Sequence, residues 1–313
     1  MRPTPLFTAA LVVAAFAAIG CSKRGGPEAT GGSSPAVPAT PVVTTGESRP
    51  ADEGSVSTAT TAIAGPVSFA DGEAAYHSRR YDEAAAIFEA YVERRPGNAW
   101  GHYMLGLSAW KSGDLAKSES AFEKALSIDP RHVKSLVNSS RVLIAQQRHD
   151  DAIDRLTRAV GIEPGSPDAY RLLGRAYHVR RHTPEAEDAY LRAIALNDRD
   201  AWSFNNLGLL FLETQRADQA LPLLARAVEL RRGVPEFQNN LGMALEHTGR
   251  FRAAAEAYGA ALAADPGYAK AKQNLVRVEA VKVGPEDPFD IGLAANSALD
   301  NLAAPANQTT ATR

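Results

Sequence analysis

Leu241-Gly242-Met243-Ala244-Leu245-Glu246-His247-Thr248-Gly249-Arg250-Phe251-Arg252-Ala253-Ala254-Ala255-Glu256-Ala257-Tyr258, running on through Ala261 to Asp265-Pro266, reads as two amphipathic helices joined at Thr248-Gly249. Small residues (Gly242, Ala254, Ala261) stand where two helices must approach closely, and Leu241, Leu245 and Tyr258 stand where a gap must be filled. A proline closes the second helix. Such a unit has more apolar face than it covers alone, so it requires stacked neighbours.

The neighbours recur at a period of 34 residues. Gly72, Gly106, Gly174, Gly208 and Gly242 share one position, with Ser140 the exception. Twelve residues on come Ala84, Ala152, Ala186, Ala220 and Ala254, with Ser118 in the second copy. A large residue follows (Phe88, Phe122, Leu156, Tyr190, Leu224, Tyr258), then Ala125, Ala159, Ala193, Ala227 and Ala261, with Tyr91 in the first copy. Pro96, Pro130, Pro164 and Pro266 end copies; Asp198 and Arg232 replace proline in the fourth and fifth. Each copy therefore predicts two helices. Asp82, Asp150 and Asp218 fall near the start of the second, where a carboxylate meets unpaired N–H groups. Thr183-Pro184 reads as an N-cap and first helical residue.

This pattern, with Leu105-Gly106, Leu173-Gly174, Leu207-Gly208 and Leu241-Gly242, resembles the tetratricopeptide repeat family. The resemblance implies an all-α fold: a right-handed superhelical solenoid of six helix pairs over residues 65–266. Ser139-Ser140 make the third copy the least regular. Residues 267–283 read as a capping helix, with Lys270, Lys272, Gln273 and Arg277 alternating with Leu275 and Val278. Residues 284–313 are expected to be a mostly disordered tail, the alternative being a short weakly amphipathic helix from Phe289 to Leu302 docked on the groove or on a partner.

Upstream of the repeats the composition changes. Arg2 precedes the uncharged run Leu6 to Gly20, too short for the roughly 20 apolar residues of a membrane span and suited to a secretory signal over residues 1–20. Ala18-Ile19-Gly20-Cys21 resembles the lipobox of bacterial lipoproteins, in which the cysteine takes the lipid and becomes the new terminus. A plain secretion signal and an uncleaved anchor are the competing readings; Cys21 is the sole cysteine of the chain, which favours lipidation. Ser22 fits sorting to the periplasmic face of the outer membrane. Residues 22–64 contain no Phe, Trp, Tyr or Leu and read as a disordered tether, about 35 Å from end to end as a flexible coil.

A net charge of −2 argues against nucleic-acid binding driven by bulk charge. One cysteine excludes intrachain disulfides, and no phosphate loop, dinucleotide fingerprint, HExxH or GxSxG is present. His178 and His182 have a metal-capable spacing, but Arg180 and Arg181 lie between them and both are expected to be solvated. No cofactor, metal or small-molecule substrate is expected, and no catalytic residue is assigned.

The resemblance implies that the first helix of each pair lines a concave groove. Its residues include Asn138, Asn206, Asn240 and Asn274, whose amides offer donor and acceptor to a bound peptide backbone or, alternatively, bond only between helices. Trp100, Tyr103, Trp110 and Trp202 are candidate anchors, with interhelix packing the competing role. Lys134, Arg141, Arg171 and Arg175 gather at the middle and Glu73, Glu213, Glu236 and Glu246 towards the ends, either as a field for an acidic partner or as a solvated charged face. Asn240 with Lys270 is only a fragment of a carboxylate clamp. The expected function is a non-enzymatic, membrane-tethered scaffold for a protein or peptide partner. Repeat number and lipid site give a weak resemblance to the pilotin-type lipoproteins of type IV pili. A regulatory binding subunit of a periplasmic cell-wall enzyme is the alternative, and cryptic catalysis a third.

Overall fold

Each repeat glycine lies under the large residue sixteen positions later. A Cβ on Gly72 would fall 2.6 Å from the Phe88 ring, and one on Gly242 would fall 2.5 Å from Tyr258. The same holds for Gly106 beneath Phe122, Gly174 beneath Tyr190 and Gly208 beneath Leu224. The large side chain fills the space that the missing Cβ leaves, so the two helices of a pair seat closely. The bulky positions thus pack first within their own pair.

A computed structural model describes residues 67–281 and 288–308, with side chains to residue 302. The pairs are α1 (Phe69–His77) with α2 (Tyr81–Arg94), α3 (Ala99–Ser112) with α4 (Leu115–Ile128), and α5 (Val133–Ala145) with α6 (His149–Ile162). Then come α7 (Pro167–Val179) with α8 (Thr183–Leu196), α9 (Ala201–Glu213) with α10 (Ala217–Leu230), and α11 (Pro235–His247) with α12 (Phe251–Ala264). Two single helices follow, α13 (Ala269–Glu279) and α14 (Ile291–Gln308). Each second helix packs on its own first helix and on that of the next pair. From α3 onwards successive first helices also touch one another, while successive second helices stand further apart. The stack therefore curves with the first helices on its inner side.

Apolar burial is continuous along the stack. The repeat alanines Ala84, Ala152, Ala186, Ala220 and Ala254 are all fully buried. The two serine exceptions are satisfied rather than orphaned: Ser118 Oγ donates to the Gly106 carbonyl at 2.7 Å, and Ser140 Oγ to that of Leu136 at 2.7 Å. The third repeat thus keeps its packing.

The turn within each pair passes through one residue with left-handed backbone. Gly113 and Gly249 serve in two pairs; Arg79, Gln147, Arg181 and Gln215 serve in the others at φ of 60–63°. Thr183 is the first residue of α8, with Pro184 second; His182 is the N-cap and no side chain caps that helix. Asp82, Asp150 and Asp218 sit in first turns of helices that no side chain caps, where they meet the helix dipole, and Asp150 is also bridged by Arg180 Nε at 2.8 Å.

The tail departs from expectation. Residues 291–308 form a full helix that packs on α10, in the outer layer rather than the groove. The reason lies in α10. Pro222 is buried where the equivalent Ser120, Asp154, Asp188 and Glu256 are exposed, and Ala225 is buried where Glu123 and Thr157 are exposed. That outer face is apolar, and Ala295 and Ala298, both fully buried, bring α14 onto it. Phe289 lies under the Arg250 guanidinium, 5.7 Å from ring centroid to carbon. The signal segment, Cys21 and the tether lie outside the described residues.

Candidate binding groove

The aromatic end is built at the starts of α3 and α5. Asn98 caps α3 by accepting from the Gly101 N–H at 2.8 Å and donates to the Tyr91 hydroxyl at 3.1 Å. That fixes the turn from which Trp100 projects. His132 caps α5, its Nδ1 accepting from the Ser135 N–H at 3.2 Å. Three rings then meet: Trp100 and Tyr103 at 5.0 Å, Trp100 and His132 at 5.3 Å, Tyr103 and His132 at 5.2 Å between centroids. The Lys134 ammonium stands 4.9 Å over the Trp100 ring. Trp100 remains 38% exposed while Tyr103 is only 7% exposed, so the tryptophan is the face and the tyrosine its support. Asn138 Nδ2 donates to the Lys134 carbonyl at 2.9 Å and, at 3.4 Å, to the Tyr103 hydroxyl. Burial pushes the Tyr103 hydroxyl pKa up and the His132 pKa down, so both are neutral near pH 7.

The centre carries the cations, and much of their charge is already engaged. Arg171 is nearly buried and reaches Asp168 at 2.7 Å and Asp200 at 3.0 Å. Arg141 approaches Asp168 at 3.5 Å. Arg175, half-buried, stands one turn beyond Arg171 on α7. His178 is only 4% exposed and bonds Glu213 at 3.0 Å, which Arg181 also approaches at 3.4 Å. The solvated His178 expected from sequence is therefore a buried, carboxylate-bound one, and Glu213 is paired instead of marking a free acidic end. Among the described residues no group of three potential metal ligands occurs.

The far end is a string of amides running one way. Arg277 Nη1 donates to Asn274 Oδ1 at 2.9 Å, and Asn274 Nδ2 donates to Asn239 Oδ1 at 2.9 Å. Asn239 donates to Asn240 at 3.4 Å, Asn240 to Asn205 at 2.9 Å, and Asn205 to Asn206 at 3.3 Å. The string joins α13, α11 and α9 across the inner face. Beside it Glu246 accepts from Arg277 at 2.9 and 2.7 Å and from the Tyr258 hydroxyl at 2.8 Å. Burial raises the Glu246 pKa, but the Arg277 and Tyr258 bonds and the Arg277 charge outweigh it and hold the carboxyl below its ordinary value.

Comparison with known proteins agrees with this architecture. A tetratricopeptide repeat profile matches residues 67–99, 103–167 and 205–269, and a second profile of the same description matches 143–204. The chain belongs to the tetratricopeptide repeat family. It is similar to anaphase-promoting complex subunit 3 of Schizosaccharomyces pombe, 22% identical over 203 residues that cover 65% of this chain and 30% of that one. It is also similar to the peroxisomal targeting signal receptor of Kluyveromyces lactis, 26% identical over 217 residues, 66% of this chain and 36% of the other. The chain thus spans about a third of the length of these relatives. Its fold is shared with PilF of Pseudomonas aeruginosa (TM-score 0.54, 16% identity, 71% of this chain and 95% of that one). It is shared too with the Cut9–Hcn1 assembly (TM-score 0.58, 18% identity, 74% and 45%). At these identities the fold alone is shared.

The structure of this tetratricopeptide repeat array sorts the residues singled out from sequence. Trp100 is exposed in the groove. Trp110 is half-buried against the core of the first two pairs, and Trp202 meets Phe237 edge-on at 4.7 Å. Asn138, Asn206, Asn240 and Asn274 are half-buried, and Asn240 and Asn274 bond to neighbouring first helices. The residue missed was Asn205, 4% exposed, which with Asn239, 2% exposed, carries the string from helix to helix. The doubled asparagines Asn205-Asn206 and Asn239-Asn240 were the available signal.

Proposed function

We propose that the chain is a lipid-anchored, non-enzymatic scaffold that holds an extended segment of a partner protein in the groove of its repeats, serving assembly of an envelope complex such as a type IV pilus or its secretin. The inner face carries the reading: it sets an exposed tryptophan at one end and a row of amides at the other, on a surface that curves towards a ligand. An amide offers two N–H donors and a carbonyl oxygen with two lone pairs. Each bonded asparagine therefore keeps capacity for a peptide backbone alongside its interhelix bond. The anchor rests on Cys21 at the end of the signal; among the described residues no helix is long and apolar enough to cross a membrane. Support for the pilus assignment comes from the resemblance to pilotin-type lipoproteins and the fold shared with PilF.

The test combines anchoring with capture. Cys21→Ala is expected to abolish fatty-acid labelling. Photo-crosslinkers at Lys134 and Asn240 are expected to trap an envelope protein that a crosslinker at the outer-layer Arg192 does not. Equal trapping from both faces overturns the groove reading. Normal secretin multimers after deletion of the gene overturn the assembly role.

A further inference from the structure

The inner face is not uniform along its length. Five repeat positions face it on each first helix, those of Trp100, Tyr103, Met104, Leu107 and Trp110 on α3. On α1 and α3 these positions include Phe69, Tyr76, Trp100, Tyr103 and Trp110, while beyond α3 Trp202 is the single aromatic. On α5 the charged residues among them are Lys134 and Arg141, with no acid. On α7 they are Asp168, Arg171 and Arg175, and His178 faces Glu213. Against the four cations of α5 and α7 stand Asp168, Asp200 from the start of α9, and Glu213 from its end. At the same five positions α9 carries no charge. Aromatic surface, positive surface and amide surface therefore follow one another along the groove.

We infer that the groove selects an extended acidic segment with an aromatic anchor: its ring packs at Trp100, its carboxylates meet Lys134 and Arg141 on α5 and then Arg175 on α7, and its backbone continues along the amides of α9 and α11. The inference rests on the groove reading above and adds the partner's chemistry. Trp100 supplies exposed ring surface that is already braced by Tyr103 and His132, so little ordering cost remains on binding. The Lys134 ammonium lies over that ring and is exposed, placed to swing onto a carboxylate without breaking an ion pair of the fold. Arg141 stands on the same helix as Lys134, 3.5 Å from Asp168. Register follows from spacing. Packed helices stand about 8–10 Å apart, and an extended chain rises about 3.3 Å per residue. Carboxylates roughly three and six residues from the ring are thus matched to α5 and α7.

The test is selection of a displayed random decapeptide library on the purified repeat chain, repeated on Trp100→Ala, Lys134→Glu and Asn240→Ala, each checked for unchanged helicity. Enrichment of an aromatic residue with Asp or Glu three and six positions away is expected, with about tenfold weaker binding to Trp100→Ala. Lys134→Glu is expected to remove the preference for acid at the nearer position. Peptides enriched without acidic and aromatic bias, yet weakened by Asn240→Ala, overturn this inference and leave the groove reading standing. Failure to retain any peptide, or binding indifferent to all three substitutions, overturns both.

Discussion

One repeat position carries Tyr103 on α3 and Asn205 and Asn239 on α9 and α11. At the first site the side chain braces an exposed tryptophan, and its hydroxyl accepts a long 3.4 Å bond. At the other two it is an amide, all but buried, that ties one first helix to the next. The stacking positions, by contrast, are filled alike at both ends: Gly72 and Gly242 each lie under a ring, and Ala84 and Ala254 are each fully buried. The array thus separates two jobs. One set of positions makes any neighbour fit any other; a second set, facing inwards, is left to be specialised, and the two halves have specialised it differently. The far half spends part of its inner face on holding its own register. The near half spends it on display.

That contrast fails first if stacking is not shared. Phe122→Ala and Tyr258→Ala each remove a fully buried ring from over a repeat glycine, and each is expected to cost about 3–5 kcal/mol in denaturant unfolding. Costs differing by more than twofold between the halves would show that the stacking layers are not equivalent.

A smaller effect separates the ends. Glu246 latches α13 through Arg277, and Glu246→Ala is expected to cost about 1–2 kcal/mol, the Arg277 side chain being 46% exposed and screened by solvent. Because the folded-state pKa of Glu246 lies below its ordinary 4.5, the latch is complete above that value. It is lost as the pH falls through the lower folded value. Hydrogen exchange should show α13 amides deprotected in acid before those of α3, and the difference vanishing in the Glu246→Ala chain. Simultaneous deprotection of the two helices removes the latch from the account.

The layers and pairs were legible because stacking repeats: a position filled five times by glycine is a steric statement that needs no structure to read. The groove was less legible because its residues do not repeat. Trp100 and Trp202 share a position, yet one faces solvent and the other meets Phe237, a difference set by Lys134 and Phe237 on the following helices. The cations of α7 looked like an open field until Asp168 and Asp200 were found beside Arg171. The docking of α14 escaped because its cause lies some seventy residues earlier, in the uncharged outer face of α10. Leu221, Pro222 and Ala225 read as ordinary repeat residues unless set against their charged equivalents Glu119, Asp154 and Glu123.

The amide string gives a finer cut. Asn239→Ala removes an acceptor from Asn274 and a donor to Asn240, and about 1 kcal/mol is expected to go. Tyr103→Phe, at the same repeat position, should cost under about 0.5 kcal/mol, since its ring contacts survive and the hydroxyl bond is long. Equal losses in thermal unfolding would mean that both halves use this position in the same way.

The smallest effect concerns the turns, where the halves are expected not to differ at all. Gln147 holds φ at 63° and Gln215 at 60°, while the same turn position in two other pairs is glycine. A side chain in this region crowds its own carbonyl, at a cost of about 1–2 kcal/mol, and glycine gives back part of the relief as chain entropy in the unfolded state. The backbone bond from the Gln147 N–H to Ile144 is kept on substitution. Gln147→Gly and Gln215→Gly should therefore each stabilise by about 0.5–1 kcal/mol, one in each half, and add in the double variant because the sites share no partner. Since neither residue faces the groove, peptide selection should be unmoved. A turn substitution that changed selection would show that the register of a pair reaches the inner face, and the separation of stacking from display would then be incomplete.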